Sequence, residues 1–124
     1  IMGGVVSVPP ATVVIVGSGV LARSATRAFL GAGAHTIVLG HNMDRLRRIE
    51  EMTNGRVITL MGSRYNLARM TKIADVLVGA VLRPGERAPI MITRDMVKSM
   101  KHGSVIIDLA IDHGGCIETE LTLD

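Results

Sequence analysis

Three small residues in the run Gly17-Ser18-Gly19-Val20-Leu21-Ala22 are spaced for one kind of chemistry, holding a pyrophosphate against a polypeptide backbone. Glycine at position 17 permits a tight turn off a strand. Glycine at position 19 leaves no side chain between the backbone and a phosphate oxygen, and Ala22 is small enough for the close helix–strand packing that the third position requires. Such a site works only if an apolar strand delivers the chain to the turn and a helix leaves from it, aiming unpaired N–H groups and its positive dipole end at the phosphates. Residues 12–16, TVVIV, supply the strand: fully apolar after Thr12 and β-branched, as in a parallel sheet buried on both faces. Leu21, Ala25, Ala28, Phe29 and Ala32 then recur at helical spacing, with Arg23 and Arg27 on another face and Gly31 and Gly33 closing the helix. In that setting the motif reads as a dinucleotide cradle rather than a mere tight turn.

The same alternation continues along the chain. Residues 36–39 form a second apolar strand, and Asn42 caps a helix that turns Met43, Leu46, Ile49 and Met52 or Thr53 inward before Asn54-Gly55 stops it. Residues 57–60 read as strand three, 66–72 as a short helix and 76–78 as strand four. A loop over 79–92 is broken by Pro84, Gly85 and Pro89 and lies past the carboxyl end of strand four, where loops touch ligands. Thr93 caps a last helix with Met96, Val97 and Met100 apolar, Lys98, Lys101 and His102 near its negative end and Gly103 as the stop; 105–109 is strand five. Strands alternating with helices through short connections predict an α/β fold, a Rossmann-type doubly wound parallel sheet in strand order 3-2-1-4-5. The expected sixth strand and final helix do not follow, so residues 1–124 read as one dinucleotide-binding domain, an excised or truncated fragment.

Composition narrows the class further. With 124 residues, 48% hydrophobic but 2% aromatic, the core must be built from Val, Ile, Leu, Ala and Met. A net charge of +3 with so few aromatics for base stacking does not argue for nucleic acid. The single Cys116 excludes an internal disulfide framework and fits a reducing compartment. No apolar run approaches the ~18 residues that read as a membrane span, and the opening lacks a signal peptide's basic end, so a cytoplasmic address is expected. The four histidines show no metal-ligand spacing, and the eight methionines read mainly as gap-filling core.

The carboxyl half carries a specific resemblance. Residues 80–89 (AVLRPGERAP), 92–101 (ITRDMVKSMK) and 103–118 (GSVIIDLAIDHGGCIE), with the lead-in 2–10 (MGGVVSVPP), closely resemble the cofactor domain of alanine dehydrogenases and the related nicotinamide nucleotide transhydrogenases. The Ile111-Asp112-x-Gly114-Gly115-Cys116 stretch is more similar to the alanine dehydrogenase branch, because transhydrogenases usually carry an amide or Glu in place of Asp112. The resemblance implies oxidation of L-alanine with water to pyruvate and ammonia, with hydride passing to NAD. It also implies a second domain that supplies a catalytic His and substrate-binding basic residues, and assembly as a homo-oligomer. By matching position, cofactor contacts fall on Gly17, Gly19, Val20, Leu21, Gly40, His41, Arg45, Val81, Leu82, Leu109, Ala110, Ile111 and Asp112, along the carboxyl edge of the sheet.

Asp112 is the catalytic candidate: beyond strand five it would orient a water or exchange a proton as the imine hydrolyses. The plainer reading makes it a turn former for Gly114-Gly115. Asp108, inside the apolar strand, reads as structural, Cys116 as an inert thiol, and His113 as a departure from the family's usual Gln that tunes Asp112. Arg45 falls near the adenosine ribose, whereas Arg47 and Arg48 read as a solvated helix face.

Two departures fall on one subsite. Strand two should end on an acid that accepts the ribose hydroxyls, and here stands Gly40; where the family usually has Ser at the end of strand three stands Gly62. One explanation is a switch to NADP, with His41, Arg45, Ser63 and Arg64 around a 2′-phosphate. The other is lost affinity in a degenerate or designed domain. Beside a dehydrogenase domain stand two other readings of the whole chain, a module that senses NAD(P)(H) without chemistry and an inert, trimmed domain.

Overall fold

Successive residues of a buried parallel strand face opposite layers, and that alternation organises the whole domain. The computed structural model describes residues 9–81, 92–109 and 117. Its elements run β1 (Thr12–Val16), α1 (Val20–Gly31), β2 (His35–Gly40), α2 (Met43–Met52), β3 (Ile58–Met61), α3 (Arg64–Ile73), β4 (Val76–Gly79), α4 (Arg94–Lys98) and β5 (Val105–Asp108). All four strand pairings are parallel, in the order β3-β2-β1-β4-β5. The doubly wound sheet and its strand order are those expected from the sequence.

Val13 and Ile15 of β1 pack with Ala22 and Ala25 of α1 and Leu46 and Ile49 of α2. Val14 and Val16 face the other way, into a cluster with Leu67 of α3 and Met96 of α4. Each of these four strand residues is 0–1% exposed. Fully burying such a side chain contributes about 1.5–3 kcal/mol, so β1 anchors both layers.

The helices differ from the periodicity reading at definite positions. On α1, Ala28 and Ala32 are exposed, and Thr26 is buried in their stead with its hydroxyl donating to the Ala22 carbonyl at 2.7 Å. On α2, Leu46, Ile49 and Thr53 are buried, but Met43 in the first turn is 59% exposed. Helix α3 starts at Arg64, not at residue 66, because the Ser63 hydroxyl accepts from Asn66 N at 3.1 Å and caps it there. Helix α4 ends at Lys98, so Lys101 and His102 lie beyond its last turn. Lys101 instead reaches Asp75 at 3.0 Å.

Asp75 closes the amino edge of the sheet. Its carboxylate accepts from Thr12 N at 2.7 Å and from Lys101 Nζ at 3.0 Å, while its carbonyl accepts from Val105 N at 2.9 Å. The Thr12 amide first, and the Lys101 ammonium second, hold this carboxyl below its ordinary 3.8. On the outer strand, Val105 is 50% and Ile106 37% exposed. Among the described residues, no helix is long and apolar enough to cross a membrane.

Candidate dinucleotide site

At the opposite, carboxyl edge, backbone hydrogen bonds carry the sheet one residue past its strands. Gly17 N donates to Leu39 O, Ala80 N to Val16 O and Leu109 N to Gly79 O, each at 2.8 Å, and Gly62 N donates to Gly40 O at 2.9 Å. The five strand ends are thereby aligned, and the residues that follow them share one rim. The crossover between α1/α2 on one face and α3/α4 on the other falls between β1 and β4, the switch point where open α/β sheets bind ligands.

Gly17 leaves β1 with φ +134°, a conformation that L side chains rarely adopt, and a Cβ there would stand 2.6 Å from the Ala80 carbonyl oxygen. Its glycine is thus demanded by the fold, both by the turn and by the Ala80–Val81 backbone against it. Gly19 is different. It is the N-cap of α1 with φ −91°, and among the described residues a Cβ there would meet only the Arg45 guanidinium, at 3.9 Å. Neither backbone nor packing excludes a side chain at 19, and the space a Cβ would fill opens onto the end of α1.

That helix end is the one without a side-chain cap. Asn42 caps α2 by accepting from Arg45 N, Ser63 caps α3 and Thr93 caps α4, whereas Gly19 offers α1 no side chain and its first turn holds no acid. Three further first-turn N–H groups lack intrahelical partners by the geometry of any helix, so they face the rim with the positive end of the dipole. Ala22, fully buried, lets α1 lie close on the sheet. Together these features fit a pyrophosphate.

The other predicted contacts distribute around the same rim. Val20, 60% exposed, and half-buried Leu21 begin α1. Gly40 ends β2, and the His41 ring follows it, with Nε2 at 3.1 Å from the Gly62 carbonyl. Arg45 lies on α2, exposed, and makes no salt bridge with any described residue, whereas its neighbour Arg47 pairs with Asp44 at 3.5 Å. Val81, half-buried, follows β4 and packs on the Leu67–Met96 cluster; Leu109, 45% exposed, follows β5. Asp108 is half-buried at the end of β5, opposite Gly79. The candidates Leu82, Ala110, Ile111 and Asp112, with His113 and Cys116, lie outside the described residues. Ser63, expected beside a phosphate, spends its hydroxyl on the α3 cap.

One participant went unnoticed in the sequence. Ser18, the middle residue of the glycine turn, is buried, and a Cβ on Gly40 would lie 2.8 Å from its Cβ and 2.9 Å from its Oγ. The end of β2 is glycine because the turn after β1 leans on it. The only sequence signal was the coincidence of Gly40 with a residue larger than glycine at 18.

Among the described residues, no group of three or more His, Cys, Asp or Glu is placed to hold a metal. Comparison with known proteins gives a consistent picture. The family model described as alanine dehydrogenase/PNT, C-terminal domain, matches residues 1–123. An alanine dehydrogenase of Bilophila wadsworthia is 48% identical over 118 residues, 95% of this chain and 31% of that protein. A solved L-alanine dehydrogenase superposes with a TM-score of 0.85 at 42% identity, over 95% of this chain and 33% of its own. A transhydrogenase from Sinorhizobium meliloti superposes with a TM-score of 0.76 at 29% identity, over 90% of this chain and 32% of its own. The chain spans about a third of the length of these relatives.

Proposed function

Because the chain belongs to the alanine dehydrogenase/PNT C-terminal-domain family, we propose that it is the nicotinamide-dinucleotide-binding part of an oxidoreductase that converts L-alanine and water to pyruvate and ammonia. The observation that carries this reading is the uncapped start of α1 under Gly19, beside relatives named alanine dehydrogenase. The bound nicotinamide supplies the hydride acceptor. This chain's part is to seat the pyrophosphate on the α1 N–H groups, to pass the adenosine half over Gly40 toward Arg45, and to present the nicotinamide half to the ends of β4 and β5. Val81, Leu82, Leu109, Ala110 and Ile111 line that second half, and Asp112 exchanges the proton or orients the water at the substrate carbon. A second domain supplies the remaining substrate-binding groups, and the isolated chain binds nucleotide without turnover. NAD is the cofactor the family resemblance suggests; Gly40, lacking a carboxylate, also admits NADP.

Titration of the 124-residue chain with NADH, read by enhanced nucleotide fluorescence, tests the binding. Saturable enhancement, competed by ADP-ribose, is the expected result. Absence of saturable binding by either NADH or NADPH overturns the reading.

A further inference from the structure

Resting on that dinucleotide reading, we propose that the adenosine end of the site is built for a ribose carrying a 2′-phosphate, so that the chain selects NADP(H) over NAD(H) through Arg45 and Arg64. The argument starts from what the end of β2 has lost. A carboxylate there would accept the 2′-hydroxyl and repel a 2′-phosphate; Gly40 does neither, and Ser18 occupies the space that its side chain would need, 2.8 Å from the Cβ position. The substitution is therefore embedded in the packing of the turn, not a gap left beside it.

The segments that follow this strand end and its neighbour β3 carry basic side chains. Gly40 is the register partner of Met61 and its carbonyl accepts from Gly62 N, which brings the start of α3 alongside the end of β2. His41, adjoining Gly40, contacts the Gly62 carbonyl through its ring. Arg64, two residues beyond Gly62, is exposed, and Arg45 reaches from α2 to 3.9 Å of the Gly19 Cβ position. Among the described residues neither Arg45 nor Arg64 forms a salt bridge, and the nearby acid Asp44 is paired with Arg47. Two guanidinium groups without a salt bridge among the described residues thus sit on the helices that follow β2 and β3, beside a strand end without its acid. A phosphate dianion meets both conditions through charge-assisted, bidentate hydrogen bonds; a bare 2′-hydroxyl meets neither.

The test compares dissociation constants of the 124-residue chain for NADPH and NADH, and for 2′-phospho-ADP-ribose and ADP-ribose, by calorimetry or fluorescence. The phosphorylated member of each pair is expected to bind at least about tenfold tighter, with the preference shrinking as salt rises. Arg64→Ala and Arg45→Ala, both exposed positions, are each expected to weaken NADPH several-fold more than NADH. Equal or tighter binding of NADH overturns the proposal while leaving the dinucleotide reading intact. So does an equal loss for both nucleotides in both variants. Binding of neither nucleotide overturns the dinucleotide reading and this proposal with it.

Discussion

At the carboxyl end of β1 the chain turns through Gly17 with φ +134° beneath the Ala80 carbonyl, whereas at the carboxyl end of β2 Gly40 makes no such backbone demand and is kept small by a neighbouring side chain, Ser18. The first glycine is an absolute requirement of the local conformation. The second is conditional, since its constraint is set by a residue that can itself change. Between them Gly19 obeys a third rule, with neither strain nor, among the described residues, a close neighbour. One edge of the sheet thus carries glycines held by fold, by packing and, in our reading, by ligand, and a sequence pattern cannot tell them apart.

Substitutions separate the three. Gly17→Ala combines a forbidden φ with a 2.6 Å approach to backbone, and is expected to cost about 3 kcal/mol or more of stability, or to prevent folding. Urea unfolding measures it; a loss as small as that of Gly19→Ala would erase the distinction. Gly40→Ala should cost about 1–3 kcal/mol, because Ser18 rather than backbone must move. In a Ser18→Gly background most of that cost should vanish, and a double-mutant cycle showing no coupling would mean that Ser18 is not the obstacle. Gly19→Ala should change stability by less than about 1 kcal/mol, yet weaken nucleotide binding about tenfold or more by placing a methyl in the pyrophosphate's path. Unchanged affinity would remove the ligand from the explanation of that glycine.

The smallest effect is expected far from this edge. Asp75 has its carboxyl pKa lowered by the Thr12 amide and by Lys101, so its stabilisation is complete above the ordinary 3.8 and is lost as pH falls through the lowered folded value. Asp75→Asn should flatten that part of the acid limb of the stability curve and leave nucleotide affinity unchanged. An identical acid limb in the variant would assign the pH dependence to other carboxylates.

These contrasts also explain what could be read before the structure was known. Strand β1 and the turn were recognisable because β-branched residues buried on both faces and two spaced glycines are local signals. On α1 the buried face differs from the periodicity reading at a polar residue, Thr26. Thr26, Thr53 and Thr71 are all buried, and each returns its hydroxyl to the carbonyl four residues back, at 2.7, 2.8 and 2.6 Å. A hydrophobicity pattern favours Ala28 over Thr26 because it cannot see that bond. Ser18 against Gly40 escaped for a different reason: the contact joins two strand ends that are neighbours only once β1 and β2 have paired. The family resemblance, by contrast, rested on the segments of residues 80–118 with the lead-in 2–10, and the family model matches residues 1–123.

The bond from Thr12 N to the Asp75 carboxylate spans 63 positions in sequence, and β4 pairs directly with β1 across that interval. Closing so long a loop costs entropy that no local turn repays, so β1 and β4 are expected to meet late in folding. The Ala80 carbonyl that fixes the turn at Gly17 arrives with β4. An intermediate holding only β1, β2, β3 and their helices would contain the whole glycine motif yet lack the contact that shapes it, and competence to bind would appear with the last long-range pairing rather than with the first.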